Sequence, residues 1–177
     1  RYQFYIAELN QVIQRRAAIE RDLRTALQKD QFRLHYQPQL DLCTGQVIGV
    51  EALLRWQHPE RGDISPVEFI PVAESTGLIL PIGDWVLRNA CRQARAWQDA
   101  GLQPVRVAVN LFAAQFRHKN LLETITAVLN ESCLDPHWLE VELTESLIMK
   151  DARATIDTLR ALSELGVLIS VDDFGTG

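Results

Sequence analysis

Residues 138–173 read WLEVELTESLIMKDARATIDTLRALSELGVLISVDD, and this stretch decides the fold. From Trp138 to Leu143 apolar and acidic side chains alternate, which is the period of a β-strand. Asp151 to Leu165 carries apolar residues at helical spacing and is closed by Gly166. Val167 to Val171 is again a strand. A strand, a helix and a strand in direct succession are the repeating unit of a parallel sheet covered by helices.

The same succession extends upstream. Pro104 to Asn110 reads as a strand and Leu121 to Ser132 as the helix that follows it. Before them, Ser65-Pro66-Val67-Glu68 has the form of a capping box with proline at the first helical position, opening a short helix to about Ser75. A longer helix is expected from about Gly83 to Ala100, closed by Gly101. Only the opening pair departs from this order. Phe32 to Leu40 and Gln46 to Trp56 are strands separated by Asp41-Leu42-Cys43-Thr44-Gly45, a link too short for a parallel crossover, so they run antiparallel. Five strands are expected, in a mostly parallel sheet.

The first thirty residues differ in pattern. Ile6, Leu9, Ile13, Leu23 and Leu27 recur at helical spacing, but Arg16 and Glu20 interrupt the stripe, which suits a packed connector helix better than a coiled-coil seam. Residues 30–177, 148 in number, are about 60% of the roughly 250 that a (β/α)8 barrel takes. The last residues, Phe174-Gly175-Thr176-Gly177, form a turn with no closing helix after it, and the expectation is a segment cut inside a domain.

Composition narrows the classes. With 47% hydrophobic and 23% charged residues among 177, the chain has enough apolar material for a packed core, which excludes disorder. Its net charge of -5 offers no basic field for long nucleic acid. The longest apolar stretches, such as Leu78 to Ile82, fall far short of a membrane span, so a soluble segment in a reducing cytoplasm is expected. Cys43, Cys91 and Cys133 are odd in number and widely spaced, and frame neither a disulfide scaffold nor a zinc site.

Period-two arithmetic then separates two faces on each strand. Val50, Ala52 and Leu54 share one face, as do Val105, Val107 and Val109, then Leu139, Val141 and Leu143, and finally Val167, Ile169 and Val171. The opposite face carries an oxygen-bearing side chain in the C-terminal half of each strand: Glu51, Asn110, Glu142 and Asp172, with Asp173 one step beyond. Active sites of α/β sheets form at that end. Four carboxylates and an amide, without Cys or paired His, make a hard-oxygen set that favours Mg²⁺ or Mn²⁺ over zinc. Two such ions sharing the cluster suit phosphoester hydrolysis.

Other residues are less decisive. Arg55 shares a face with Glu51 and either clamps a phosphate or pairs with one of the carboxylates. Gln37 lies on the polar face of the first strand with Arg33 and His35, and either reads a ligand edge or is solvated. His35, His58, His118 and His137 show no metal-ligand spacing and are expected to be structural or on the surface. Trp85 and Trp97 are expected to pack. There is no GxGxxG, Walker loop or GxSxG elbow.

Glu51-Ala52-Leu53-Leu54-Arg55-Trp56 resembles the signature of the EAL domain, the bacterial phosphodiesterase of cyclic di-GMP. Tyr36-Gln37-Pro38, Pro66 to Glu74, Val109-Asn110-Leu111, Glu142-Leu143-Thr144-Glu145 and Asp172 to Gly177 resemble its other motifs in order. The resemblance covers Phe32 to the end. It implies a (β/α)8 TIM-type barrel with its first strand antiparallel, incomplete in this chain. It implies hydrolysis of cyclic di-GMP to linear pGpG with two Mg²⁺ or Mn²⁺ ions held by Glu51, Asn110, Glu142, Asp172 and Asp173. Glu51 and Asp172 would be the catalytic pair, and Gln37 and Arg55 would contact the dinucleotide. Glu145 would steady a loop beginning at Asp173 that couples dimerisation, here as a homodimer, to activity.

By the same resemblance, residues 1–30 are a linker helix following an upstream GGDEF domain and residues 31–177 are the N-terminal part of the barrel. The family's catalytic lysine and last metal-site glutamate would lie beyond Gly177. Phe112 departs from the serine that often follows the family's Asn-Leu pair. No membrane contact is expected from this segment, although the parent protein could be anchored upstream. A receptor that binds the nucleotide without cleaving it, or a docking element built on the N-terminal helix, are the alternatives.

Overall fold

The structure is a computed structural model that describes residues 2–144 and 152–172, with side chains for 9–144 and 156–172. The chain forms two compact units, one of Arg1–Arg33 with Leu54–Ile82 and the other of Leu34–Leu53 with Gly83–Gly177. Helix α1 (Tyr2–Ala26) is followed by β1 (Phe32–Leu40), β2 (Val47–His58) and the short β3 (Gly62–Ile64). Helices α2 (Pro66–Thr76) and α3 (Ile79–Asp99) lead to β4 (Arg106–Asn110). Then come α4 (Ala113–Phe116), α5 (Leu121–Ser132), a 3-10 turn at Pro136–Trp138, β5 (Leu139–Thr144), α6 (Ala152–Leu165) and β6 (Leu168–Asp172).

The first unit is built around three rings. Phe32, Trp56 and Phe69 are fully buried, with centroids 5.5 to 6.0 Å apart and tilted or edge-on, the arrangement that aromatic quadrupoles favour. Trp56 Nε1 donates to Gln31 Oε1 at 3.0 Å, so the indole N–H is satisfied inside this core. Ile19, Leu23 and Ala26 bury one side of the last two turns of α1. This corrects the expected stripe: Leu9 and Ile13 are 53% and 56% exposed. Polar contacts complete the docking of α1. Arg15 makes a two-pronged ion pair with Glu68, and Asp22 Oδ2 receives Arg61 Nη2 at 3.0 Å and lies 3.4 Å from His58 Nε2.

The second unit carries the parallel ladders. The strand order is β1-β2-β4-β5-β6, with β3 pairing β2 antiparallel off this path, so among the described residues the sheet has six strands, β3 being the one not expected. β1 and β2 are neighbours joined by a tight turn in which Asp41 N–H donates to Gln46 O at 2.9 Å. Asp41 Oδ1 also receives the N–H groups of Cys43 and Thr44, which holds the Asp41 carboxyl below its ordinary range. The remaining pairs, β2 with β4, β4 with β5 and β5 with β6, are all parallel.

The aliphatic faces read from alternation are buried. Val107, Val109, Leu139, Val141 and Leu143 are each at most 1% exposed, and Leu87, Ala90, Ile125 and Leu162 from the helices are fully buried with them. β6 is less covered, with Val171 45% exposed on the last strand of the order. Trp97 packs edge-on to Tyr36 at 4.8 Å, which is the packing role expected of it. Cys91 is buried, whereas Cys43 and Cys133 are exposed, and all three are free thiols. No helix among the described residues is long and apolar enough to cross a membrane.

Candidate active site at the strand ends

Register brings the polar residues together. Glu51 pairs with Ala108 and Asn110 with Glu142, so Asn110 stands one pleat beyond Glu51 and level with Glu142. Glu142 pairs with Ser170, and Asp172, opposite Thr144, stands one pleat further. Glu51, Asn110, Glu142 and Asp172 therefore climb diagonally across four neighbouring strands on one face of the sheet. All four are in the second unit. Asp173 and Glu145, the other residues expected here, lie outside the described residues.

Hydrogen bonds fix this set. Asn110 Nδ2 donates to Glu51 Oε1 at 2.7 Å. Leu111 N–H donates to Glu142 O at 2.9 Å, continuing the β4–β5 ladder past Asn110 and holding the start of the next loop against β5. That loop turns into α4, where Gln115 Oε1 accepts from Phe112 N–H at 3.3 Å and Gln115 is 5% exposed. The chain thus leaves the site in a fixed direction despite the bulky Phe112.

The electrostatics are those of crowded carboxylates. Glu142 is 9% exposed. Burial first, and then the charges of Glu51, Asp172 and Glu140, push its pKa up to about 7, against a lowering contribution from Gln39. A neighbouring cation would reverse that balance. Two observations bear on whether the residues suit a metal. The donors are all oxygen, as hard divalent cations require, and the carboxylates of Glu51, Glu142 and Asp172 lie on one face of neighbouring strands. Among the described residues, however, no three Asp, Glu, His or Cys side chains close into a metal-holding group. The donor set suits a hard divalent cation in kind, with Asp172 on an exposed strand end.

The remaining expected residues are less engaged. Gln37 is exposed on β1. Arg55, in the first unit, is half-buried and its Nη1 donates to Leu54 O at 3.0 Å. Sequence reasoning missed Gln39, whose Nε2 donates to Glu142 Oε1 at 3.5 Å. Its signal was available: Gln39 is two residues beyond Gln37 and so on the same face of β1. It also missed Arg106 and Glu140, an ion pair at 3.3 Å one pleat before the candidate ligands on the same face. His58 is structural, as expected, bonded to the β2–β3 turn through Nδ1.

Comparison with known proteins places this geometry. The chain is 48% identical over 176 residues to MucR of Pseudomonas aeruginosa, a bifunctional diguanylate cyclase/cyclic di-GMP phosphodiesterase, covering 99% of this chain and 26% of that protein. It is 43% identical over 175 residues to the cyclic di-GMP phosphodiesterase NbdA of the same organism, covering 99% of this chain and 22% of that one. The chain thus spans about a quarter of the length of these curated relatives. Among solved structures, the PaMucR phosphodiesterase in complex with c-di-GMP superposes with a TM-score of 0.88 and 51% identity, over 90% of this chain and 65% of that one. The EAL enzyme Bd1971 in its cAMP-bound form gives a TM-score of 0.85 and 30% identity, over 99% of this chain and 50% of that one. The family model for the EAL domain matches residues 20–177, from the buried end of α1 through the sheet, and the chain belongs to the EAL domain family.

Proposed function

We propose that this chain carries the metal-holding part of an active site that hydrolyses cyclic di-GMP to linear pGpG. The observation that carries the reading is the diagonal of Glu51, Asn110, Glu142 and Asp172 on one face of four neighbouring strands. Relatives named as cyclic di-GMP phosphodiesterases support the substrate. Two Mg²⁺ or Mn²⁺ ions, when bound, would supply a nucleophilic hydroxide and stabilise charge on the phosphoryl oxygens.

The residues have separable tasks. Glu51 and Asn110 form one bonded pair, which orients their oxygens together. Glu142 is held by burial between the strands, and Asp172 at the end of β6 completes the set, with Asp173 next in the sequence. Glu51 and Asp172 are the catalytic pair in this reading. Gln37 and Arg55 contact the dinucleotide, Arg55 offering a fork of donors to a phosphate. Glu145 steadies the loop that begins at Asp173 and couples it to a homodimer. Residues 1–30 are the connector from an upstream GGDEF domain, and the active site faces the cytoplasm, where a nucleotide messenger is available.

The experiment is hydrolysis of cyclic di-GMP by the full-length parent with Mg²⁺ or Mn²⁺, following pGpG by chromatography. Product that disappears with a chelator and with Glu51→Ala is the expected result. Saturable nucleotide binding without product would replace the phosphodiesterase with a receptor.

A further inference from the structure

Gln39 reaches from β1 past Gly49 on β2 to Glu142 on β5. Gln39, near the end of β1, is half-buried, and its Nε2 donates to Glu142 Oε1 at 3.5 Å, from a residue 103 positions away in sequence. To reach it, the carboxamide passes over Gly49 on β2. A Cβ on Gly49 would stand 2.6 Å from Gln39 Oε1 and 3.4 Å from Arg106 O, so a side chain there would displace the Gln39 carboxamide from its present position. Gly49 has no unusual backbone angle. The bare glycine therefore leaves room for the carboxamide where it lies, and its backbone angle plays no part.

Three facts make this more than local packing. Gly49 is opposite Arg106 and two residues before Glu51, so the contact sits in the same register as the ligand diagonal. Glu142 has one carboxylate oxygen engaged by Gln39, which leaves Oε2 for another partner. Finally, the neighbouring polar groups do not substitute for Gln39: Arg106 is committed to Glu140 at 3.3 Å, and the buried Ser170 Oγ has no hydrogen-bond partner. Gln39 is the described side chain that donates a hydrogen bond to the Glu142 carboxylate.

We infer that Gln39, seated over the bare Gly49, is a positioning residue that orients the Glu142 carboxylate for cation binding. This rests on the metal-dependent reading above. Outer partners of metal-binding carboxylates fix ligand orientation, and their loss weakens metal binding by about 10- to 100-fold.

A double-mutant cycle in the full-length protein tests it. Gln39→Met keeps the length of the side chain and removes the donor; Gly49→Ala keeps the donor and displaces it. Mn²⁺ affinity is read without substrate by electron paramagnetic resonance, with thermal melting alongside and kcat and KM measured separately. Each single variant should bind Mn²⁺ about tenfold more weakly, and the double variant no more weakly than either, because both remove one interaction. The loss should fall on kcat with KM for the nucleotide unchanged. Wild-type affinity in Gln39→Met, or additive losses in the double variant, overturns the inference. Absence of Mn²⁺ binding by the wild type would instead overturn the metal-dependent reading and the inference with it.

Discussion

Asn110 gives its side-chain N–H to Glu51 Oε1 at 2.7 Å, across the β2–β4 ladder and one pleat off register. The bond decides which atoms remain for chemistry. With Nδ2 committed, the amide keeps Oδ1 and Glu51 keeps Oε2 as the oxygens that the proposed metal site would use. Two neutral or charged oxygens from adjacent strands are thereby oriented by a single bond.

Replacing Asn110 with Leu should therefore cost more than one ligand. We expect kcat/KM for cyclic di-GMP to fall by about a hundredfold, the upper end for loss of a ligand-orienting partner. Steady-state kinetics at saturating Mn²⁺ checks it, and a loss below threefold would mean that Asn110 orients nothing.

Glu142 gives the metal-free protein a pH dependence. Its folded pKa of about 7 lies above the ordinary value of 4.5, so between these the folded state keeps a proton that the unfolded chain releases. The stability contribution is complete below pH 4.5 and is lost as pH rises through 7. Chelated protein should melt at a lower temperature at pH 8 than at pH 5.5, and Glu142→Gln should flatten the difference. Calorimetry at the two pH values decides it; an unchanged difference in the variant assigns the effect elsewhere.

Cys91 should be chemically silent. Burial pushes its thiol up to about 12, leaving a thiolate fraction near 1 in 10,000 at pH 8 by the ordinary titration relation, while Cys43 and Cys133 are exposed. Iodoacetamide followed by mass spectrometry should label Cys43 and Cys133 in the native protein and Cys91 only on unfolding. Native labelling of Cys91 at a rate equal to the other two would contradict its burial.

Much of the fold was legible because the residues that decide it are periodic. β1 and α5 have the expected bounds, and β4, β5 and β6 differ from expectation by a residue or two, since each has one continuous aliphatic face. α3 begins at Ile79, four residues earlier than expected. Pro81 stands in the first turn of this longer helix, where its missing N–H costs no bond. β3 has three residues and α4 four, too few for any period to register. In the site, the diagonal of ligands followed from alternation alone, whereas Gln39 and the Arg106–Glu140 pair depend on what neighbouring strands place beside them. The α1 stripe held at Leu23 and failed at Leu9 and Ile13: Ile19 and Ala26 are buried beside Leu23 where α1 meets α2, which local spacing does not reveal.

Asp22 is the polar anchor of that helix. Its carboxylate receives Arg61 Nη2 at 3.0 Å and Arg21 Nε at 3.2 Å, and its side chain is 16% exposed. His58 Nδ1 accepts from the backbone N–H groups of Glu60 and Arg61, so its Nε2 carries the hydrogen that faces Asp22. Asp22→Ala should destabilise the protein by about 1–3 kcal/mol, the cost of stranding partly buried donors. Urea denaturation reads this directly, and a midpoint equal to wild type would show that the apolar contacts of Ile19 and Leu23 hold α1 by themselves.

Gly83 on α3 offers a second test of close packing, remote from Gln39. A Cβ there would overlap the carboxamide of Gln115, which is 5% exposed and accepts from Phe112 N–H. Gln115 is buried, so the added methyl is expected to shift its carboxamide and the Leu111–Phe116 segment that carries it. Gly83→Ala should therefore raise the helix propensity of α3 yet destabilise the protein, by about 1–3 kcal/mol from overpacking. Because Leu111 continues the ladder from Asn110, the same change should lower activity before the protein unfolds. Shortening Gln115 to Ala in the Gly83→Ala background should recover stability. Equal stability of both variants would mean that the contact yields without strain.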